Sequence, residues 1–120
     1  MRRGEIWTVA PPNHPKPRPA VIVSVDPWNR YAPDVIMIPL TTRPGPSRPI
    51  VRHPRLKQLS YAKCGAITAI PKERLKQRIG TLANEPMTSL VVELRRVGRG
   101  ETLAPSMLPG VEIAADAILG

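Results

Sequence analysis

Apolar positions along this chain come in short runs, and prolines and basic residues fill the gaps between them. Gly4-Glu-Ile-Trp-Thr-Val9 alternates polar and apolar, the pattern of a strand with one covered face. Ala20–Val25 is a continuous apolar run rich in β-branched residues, which predicts a buried strand, and Val35–Leu40 predicts the next. Pro49–Arg52 offers one short strand, Ser60–Ile70 another with Ala66–Ile70 its clearest part, and Ile79–Leu82 a short extended piece. Pro71–Leu75 opens with proline where a short helix could begin. Glu85–Arg96 reads as the one substantial helix, with Met87, Leu90, Val91 and Leu94 at helical spacing on one face. Between these runs, Ala10–Pro19 holds Pro11, Pro12, Pro15, Pro17 and Pro19 and must be a stiff loop. Asp26–Pro33 reads as a turn-rich connection, and Thr41–Pro54 is a second proline-rich loop.

Short strands with interleaved turns and a late helix predict a mainly β fold with helices, a small antiparallel barrel or curled sheet. The chain divides into a folded body, residues 1–96, and a tail, residues 97–120, where the pattern dissolves. That tail could be disordered or a short helix docked on the body, and the sequence leaves both open. With two Trp, two Tyr and no Phe, the core must be built from Val, Ile, Leu, Met and Ala. The single cysteine, Cys64, excludes an intramolecular disulfide framework and fits a reducing compartment. No apolar run reaches the ~20 residues that span a bilayer, and Met1-Arg-Arg-Gly-Glu5 lacks a signal-like apolar stretch. A cytoplasmic protein with no membrane partner is expected.

Charge adds a partner class. Residues 1–96 carry 17 basic and 6 acidic side chains, a net of +11, whereas residues 97–120 carry 1 basic and 3 acidic, a net of −2. A body so basic favours a polyanion, nucleic acid above all. Arg43, Arg48, Arg52, Arg55, Lys57 and Lys63 follow one another without an intervening acid. Such a run is either a solvated loop or a backbone contact with nucleic acid, and its position directly after Thr41-Thr42 favours the second.

Candidate chemistry concentrates at strand ends. Arg18 stands between Pro17 and Pro19, so its backbone is stiff and little entropy is lost in fixing the guanidinium on a phosphate. The same Arg could instead close a strand edge or pair with Asp26 or Glu5. Thr41 and Thr42 can donate to a phosphoryl oxygen, although threonine is common at strand ends for structural reasons. Asp26 and Asn29 fit turn chemistry best, with a base-contacting Asn29 as the lesser reading. His14 and His53 lie in proline-rich loops with no acid nearby to orient them, and they read as surface histidines, one of which could touch substrate. Cys64 reads as a small core residue. No spacing matches a zinc site or a phosphate-binding Gly-rich loop, so neither metal nor cofactor is expected.

Three pieces of the chain together resemble the MazF/PemK toxins of type II toxin–antitoxin systems. Arg3-Gly-Glu-Ile-Trp7 resembles their opening strand. Arg18-Pro-Ala-Val-Ile-Val-Ser-Val-Asp26, with Asn29 after it, resembles the second strand and turn. Val35-Ile-Met-Ile-Pro-Leu-Thr-Thr42 resembles the third strand and the polar step beyond it. Ser60, Ile67, Arg74-Leu75, Gly80 and Leu82 follow in the family's order, so the resemblance covers about residues 2–96. It implies a small SH3-like antiparallel β-barrel with a C-terminal helix, of the CcdB/PemK kind and usually a homodimer. It also implies metal-independent, sequence-specific cleavage of single-stranded RNA (mRNA, or tRNA or rRNA) and neutralisation by an acidic antitoxin. Carried over, Arg18 and Thr41 are the catalytic pair, with His14, Lys16, Asn29, Thr42, Arg43 and Arg52 on the RNA. The chain departs from the family at Ala10–Pro17, which lacks an acid or Gln, and at Cys64-Gly-Ala-Ile-Thr68, where Gly65, Ala66 and Thr68 replace more polar residues.

The chemistry implied is attack of a 2′-OH on the adjacent phosphate, leaving a 2′,3′-cyclic phosphate and a 5′-OH. Two other readings stand beside it. One is a non-catalytic nucleic-acid-binding barrel. The other is a CcdB-like gyrase inhibitor, which the ending Ala117-Ile-Leu-Gly120 disfavours because that group relies on Trp-Gly-Ile there.

Overall fold

A computed structural model describes residues 1–10 and 16–98. Its elements are β1 (Glu5–Val9), β2 (Arg18–Ile22), α1 (Asp26–Tyr31), β3 (Asp34–Thr41), β4 (Ile50–Val51), β5 (Ser60–Ala62), β6 (Thr68–Pro71), β7 (Leu75–Thr81) and α2 (Asn84–Gly98). Two 3-10 turns, Cys64–Ala66 and Lys72–Arg74, flank β6. The strands form one antiparallel curled sheet in the order β4-β5-β3-β2-β1-β7, with β6 also paired to β3.

The continuous apolar runs are explained by two cores on opposite faces of this sheet. Successive strand residues point to opposite faces. Val21, Val23, Ile36, Ile38 and Leu40 therefore join one cluster, with Ile6 and with Leu90 and Leu94 of α2. Ala20, Ile22, Val35 and Met37 join the other, with Val9, Leu75 and the half-buried Trp7. Between their ends, neither face of β2 or β3 can be polar, and neither is. The aromatic-poor core expected from composition is what the structure has: among the described residues, all fully buried side chains but Ser24 and Cys64 are Ile, Val, Leu, Met or Ala.

β3 organises the site end. Its first half pairs with β6 from Asp34↔Pro71 to Met37↔Thr68, and its last two residues pair with β5, Leu40↔Ala62 and Thr41↔Tyr61. Ser60–Pro71 is thus one track along β3, as the expected single strand implied, but interrupted. Between the two ladders β3 advances by three residues and the partner by six. The three surplus residues are taken up by the 3-10 turn Cys64–Ala66, which drops the fully buried Cys64 into the core beside α2. Pro39 sits in the gap between the two ladders, where its missing N–H interrupts neither, and its carbonyl accepts from the Lys63 N–H at 2.9 Å.

Two expectations need correction. Asp26–Pro33 is not merely a turn: Asp26–Tyr31 closes a short helix, with Pro27 in its first turn. β7 is longer than the expected Ile79–Leu82, because β1 pairs with it from Glu5↔Thr81 to Val9↔Leu75 and carries the polar Lys76, Gln77 and Arg78 along. α2 holds the expected face: Leu90 and Leu94 are buried and Met87 packs against them, while Val91 is only half-buried. Among the described residues no helix is long and apolar enough to cross a membrane.

Candidate nucleic-acid interface

Sheet register brings the two foremost candidates together. β2 and β3 pair at Ile22↔Met37, Val21↔Ile38 and Ala20↔Pro39. Continued by two residues, the same register sets Arg18 across from Thr41. Both lie at the mouth of a cleft of about 650 Å³ lined by Arg18, Pro19, Leu40, Thr41, Thr42, Arg43, Arg48, Ser60 and Lys63. Four of these are cations, three carry hydroxyls and none is a carboxylate. Arg18 is exposed at the start of β2, where Val9 of β1 is its ladder partner.

Thr41 Oγ1 accepts a hydrogen bond from the Arg43 N–H at 3.2 Å. Its own proton remains available to donate, which is what a phosphoryl oxygen requires. Ser60 is buried and its hydroxyl donates to the Gln58 carbonyl at 3.1 Å, so it shapes the wall of the cleft. Arg48 Nη1 donates to the Arg43 carbonyl at 3.1 Å, bending the loop after β3 back on itself. An arrangement of this kind can bind a phosphodiester and stabilise charge that develops on its oxygens.

Of the residues predicted for this site, Arg18, Thr41, Thr42 and Arg43 line the cleft. Lys16 is exposed just before β2, and Arg52 is exposed just after β4; neither lines it. Asn29 has to be corrected. It is only 3 % exposed, its Nδ2 donates to the Ser24 carbonyl at 2.8 Å, and its Oδ1 accepts from the Ser24 hydroxyl. Ser24 Oγ in turn accepts from the Ile36 N–H at 3.0 Å, so Asn29 locks α1 to β3 from inside. Asp26 likewise serves the fold: its carboxylate accepts from the Arg3 N–H at 2.9 Å rather than capping its own turn. His14 lies outside the described residues.

His53 is drawn away from the cleft. Its ring lies on Gly80 of β7, where a Cβ would come within 2.3 Å of Nε2, and its Nδ1 accepts from the Arg55 N–H at 3.1 Å. Cys64 is inert: burial first, then the neighbouring Glu93 carboxylate, push its thiol up to about 12. Among the described residues no group of three or more His, Cys, Asp or Glu could hold a metal ion. Sequence reasoning missed Arg48, Ser60 and Lys63 as cleft residues. The signal for Arg48 and Lys63 was present in the acid-free basic run; the choice among its six cations was made by pairing of β3 with β5.

The fold and cleft define a small antiparallel β protein with a cationic, hydroxyl-lined cleft at the ends of two neighbouring strands. Residues 2–97 match the model of the PemK-like, MazF-like toxins of type II toxin–antitoxin systems, and the chain belongs to that family. No curated protein matches it. Among solved structures, the fold is similar to a mycobacterial endoribonuclease in complex with its cognate antitoxin, at 21 % identity and TM-score 0.70, covering 87 % of this chain and 99 % of that one. It is similar to the Mycobacterium tuberculosis toxin MazF-mt6 at 22 % identity and TM-score 0.68, covering 83 % and 98 %. It is also similar to the MazE–MazF structure from Deinococcus radiodurans at 12 % identity and TM-score 0.67, covering 87 % and 97 %.

Proposed function

We propose that this chain is a toxin that cuts single-stranded RNA at short motifs without a metal ion. The observation that carries the reading is that Arg18 and Thr41, at the ends of neighbouring strands, line one acid-free cleft. In the reaction the 2′-hydroxyl gives its proton to water as its oxygen attacks the adjacent phosphorus, the bond from phosphorus to the 5′ oxygen breaks, and that oxygen takes a proton from water, leaving a 2′,3′-cyclic phosphate and a 5′-hydroxyl. Arg18 holds the non-bridging oxygens and stabilises the extra charge of the pentacoordinate state. The planar guanidinium presents paired donors that match two phosphate oxygens. Thr41 donates a second hydrogen bond to the same group, and one preorganised donor of this type is worth about 2.7–4 kcal/mol. Thr42, Arg43, Arg48 and Lys63 hold the strand through its phosphates.

A net charge of +11 over residues 1–96 suits an acidic antitoxin laid over the same cleft, which attracts and then competes with RNA. The working form is a homodimer in the cytoplasm. A second reading, a barrel that binds RNA and leaves it whole, is favoured by one observation: no imidazole or carboxylate lines the cleft among the described residues.

The deciding experiment incubates the purified protein with a long single-stranded RNA in EDTA, maps the cuts and identifies the end groups, with Arg18→Ala alongside. Discrete cuts bearing 5′-hydroxyls, lost in the variant, are expected. RNA that is bound but stays intact would replace the nuclease reading with the binding one.

A further inference from the structure

The loop that carries Arg43 and Arg48 into the cleft is held from behind by α2. Ser47 has a left-handed backbone, φ 55°, uncommon for a residue with a side chain. That conformation points its hydroxyl at α2, where Arg96 Nη2 donates to Ser47 Oγ at 2.9 Å. Arg96 is itself gripped by Glu93 one turn earlier, through Nε at 3.1 Å and through Nη2. The Arg96 hydrogen bond first, and the Ser47 hydroxyl after it, hold the Glu93 carboxyl below its ordinary range. The next residue, Arg48, lies over Gly45, where a Cβ would come within 3.1–3.2 Å of its Cδ, Nε and Nη1, and bonds back to the Arg43 carbonyl. The loop is thus closed by Arg48 on one side and tied to the helix by Ser47 on the other.

We propose that Ser47, Arg96 and Glu93 form a latch by which α2 positions Arg48 for a nucleic-acid phosphate beside the one held by Arg18 and Thr41. The inference rests on the nucleic-acid reading of the cleft. Two observations favour a positioning role over plain loop packing. The strained residue is the immediate neighbour of the cleft cation, so fixing its backbone fixes where Arg48 starts. The cleft also has room for more than a single phosphodiester, and Arg48 and Lys63 line it together with the Arg18–Thr41 pair. None of the three latch residues lines the cleft, so they act through Arg48 and not on substrate.

Ser47→Gly tests the latch, because glycine accepts the left-handed backbone and removes the side chain that reaches Arg96. Arg96→Met breaks the latch from the helix side, whereas Ser47→Asn with Arg96 intact, whose amide oxygen can accept from Arg96 in a left-handed residue, should keep it. The probe is a fluorescent 2′-O-methyl RNA of mixed sequence, which cannot be cut, followed by anisotropy across a KCl titration in the full chain. Ser47→Gly and Arg96→Met should each weaken binding about fivefold, the size of one lost hydrogen bond. Each should also flatten the log–log salt slope by about one, as one lost phosphate contact does. Arg48→Ala should do the same, and Ser47→Gly should cost nothing more in the Arg48→Ala background. Wild-type affinity and slope in both latch variants, or losses that simply add to that of Arg48→Ala, would overturn the proposal. A wild-type protein that binds the probe but leaves natural RNA intact would sink the nuclease reading alone, since the latch is read from binding. A wild-type protein that does not bind the probe would overturn both.

Discussion

Two charged regions of this molecule are built on opposite rules. At the N-terminal end of β1, Glu5 is buried and saturated. It accepts from the Arg2 N–H at 2.9 Å, the Trp7 indole at 3.0 Å and Arg78 at 3.2 Å. Burial pushes its carboxyl up, but these three donors together outweigh that, and the group is held below the ordinary carboxylate value. At the far end of the same sheet, the cleft gathers Arg18, Arg43, Arg48 and Lys63 with no acid among its lining residues. A buried charge with a full set of partners maintains a fold. A set of like charges gathered at an open cleft adds repulsion to the fold and is relieved by an anion from outside.

The comparison breaks most sharply by removing one charge from each region. Arg18→Ala should lower RNA cleavage by about 10²–10³ while the thermal midpoint stays within about two degrees of wild type. Thr41→Val, which keeps the branched shape β3 needs beside Tyr61, should lose about a hundredfold or more in rate, measured in single-turnover assays. If either change unfolded the protein instead, the cleft would be a structural centre like Glu5.

Glu5 should show the reverse. Glu5→Ala leaves the Trp7 and Arg78 donors without their acceptor and should cost about 1–3 kcal/mol of stability in urea unfolding, with the cleavage rate per folded molecule unchanged. Its pH dependence has a definite sign. The folded carboxyl titrates below its unfolded value of 4.5, so its contribution is complete above that pH and fades as pH falls through the lower folded value. Glu5→Gln should therefore flatten the acid limb of the stability profile below about pH 4.5. An identical acid limb in wild type and Glu5→Gln would assign the acid sensitivity to other carboxylates.

How far the sequence foretold this molecule depends on the range of the contacts involved. β1, β2, β3 and α2 follow from local periodicity, since each carries enough apolar residues to fill a face or two. Arg18 and Thr41 stood out at strand ends, but their meeting at one cleft comes from the register of β2 on β3, which no local pattern encodes. Asn29 was misread because a six-residue helix has too few positions to show a period, and because its partner Ser24 sits in a run that looks wholly apolar. The break at Cys64–Ala66 was invisible for a similar reason: it exists to reconcile two ladders on β3 whose register is set elsewhere. Arg48 and Lys63 could be selected from six candidate cations only after that reconciliation was known.

The smallest expected effect concerns His53, the histidine that a ribonuclease reading would most readily recruit among the described residues. Its ring is committed to the backbone of β7, over a residue that has no side chain. His53→Ala should therefore leave cleavage within about twofold of wild type, far from the 10²–10⁴ that a general acid or base contributes. Gly80→Ala approaches the same contact from the other side. The new methyl would collide with the ring and push it outward, and because the ring ends a movable side chain the cost should be no more than about 1–2 kcal/mol. The readout is the His53 ring resonance in proton–carbon correlation spectra, which should move to a solvent-exposed position in Gly80→Ala while the cleavage rate holds. A His53→Ala variant that lost a hundredfold or more in rate with its fold intact would bring this ring back to the RNA, and the cleft would then extend past Ser60 to the loop after β4.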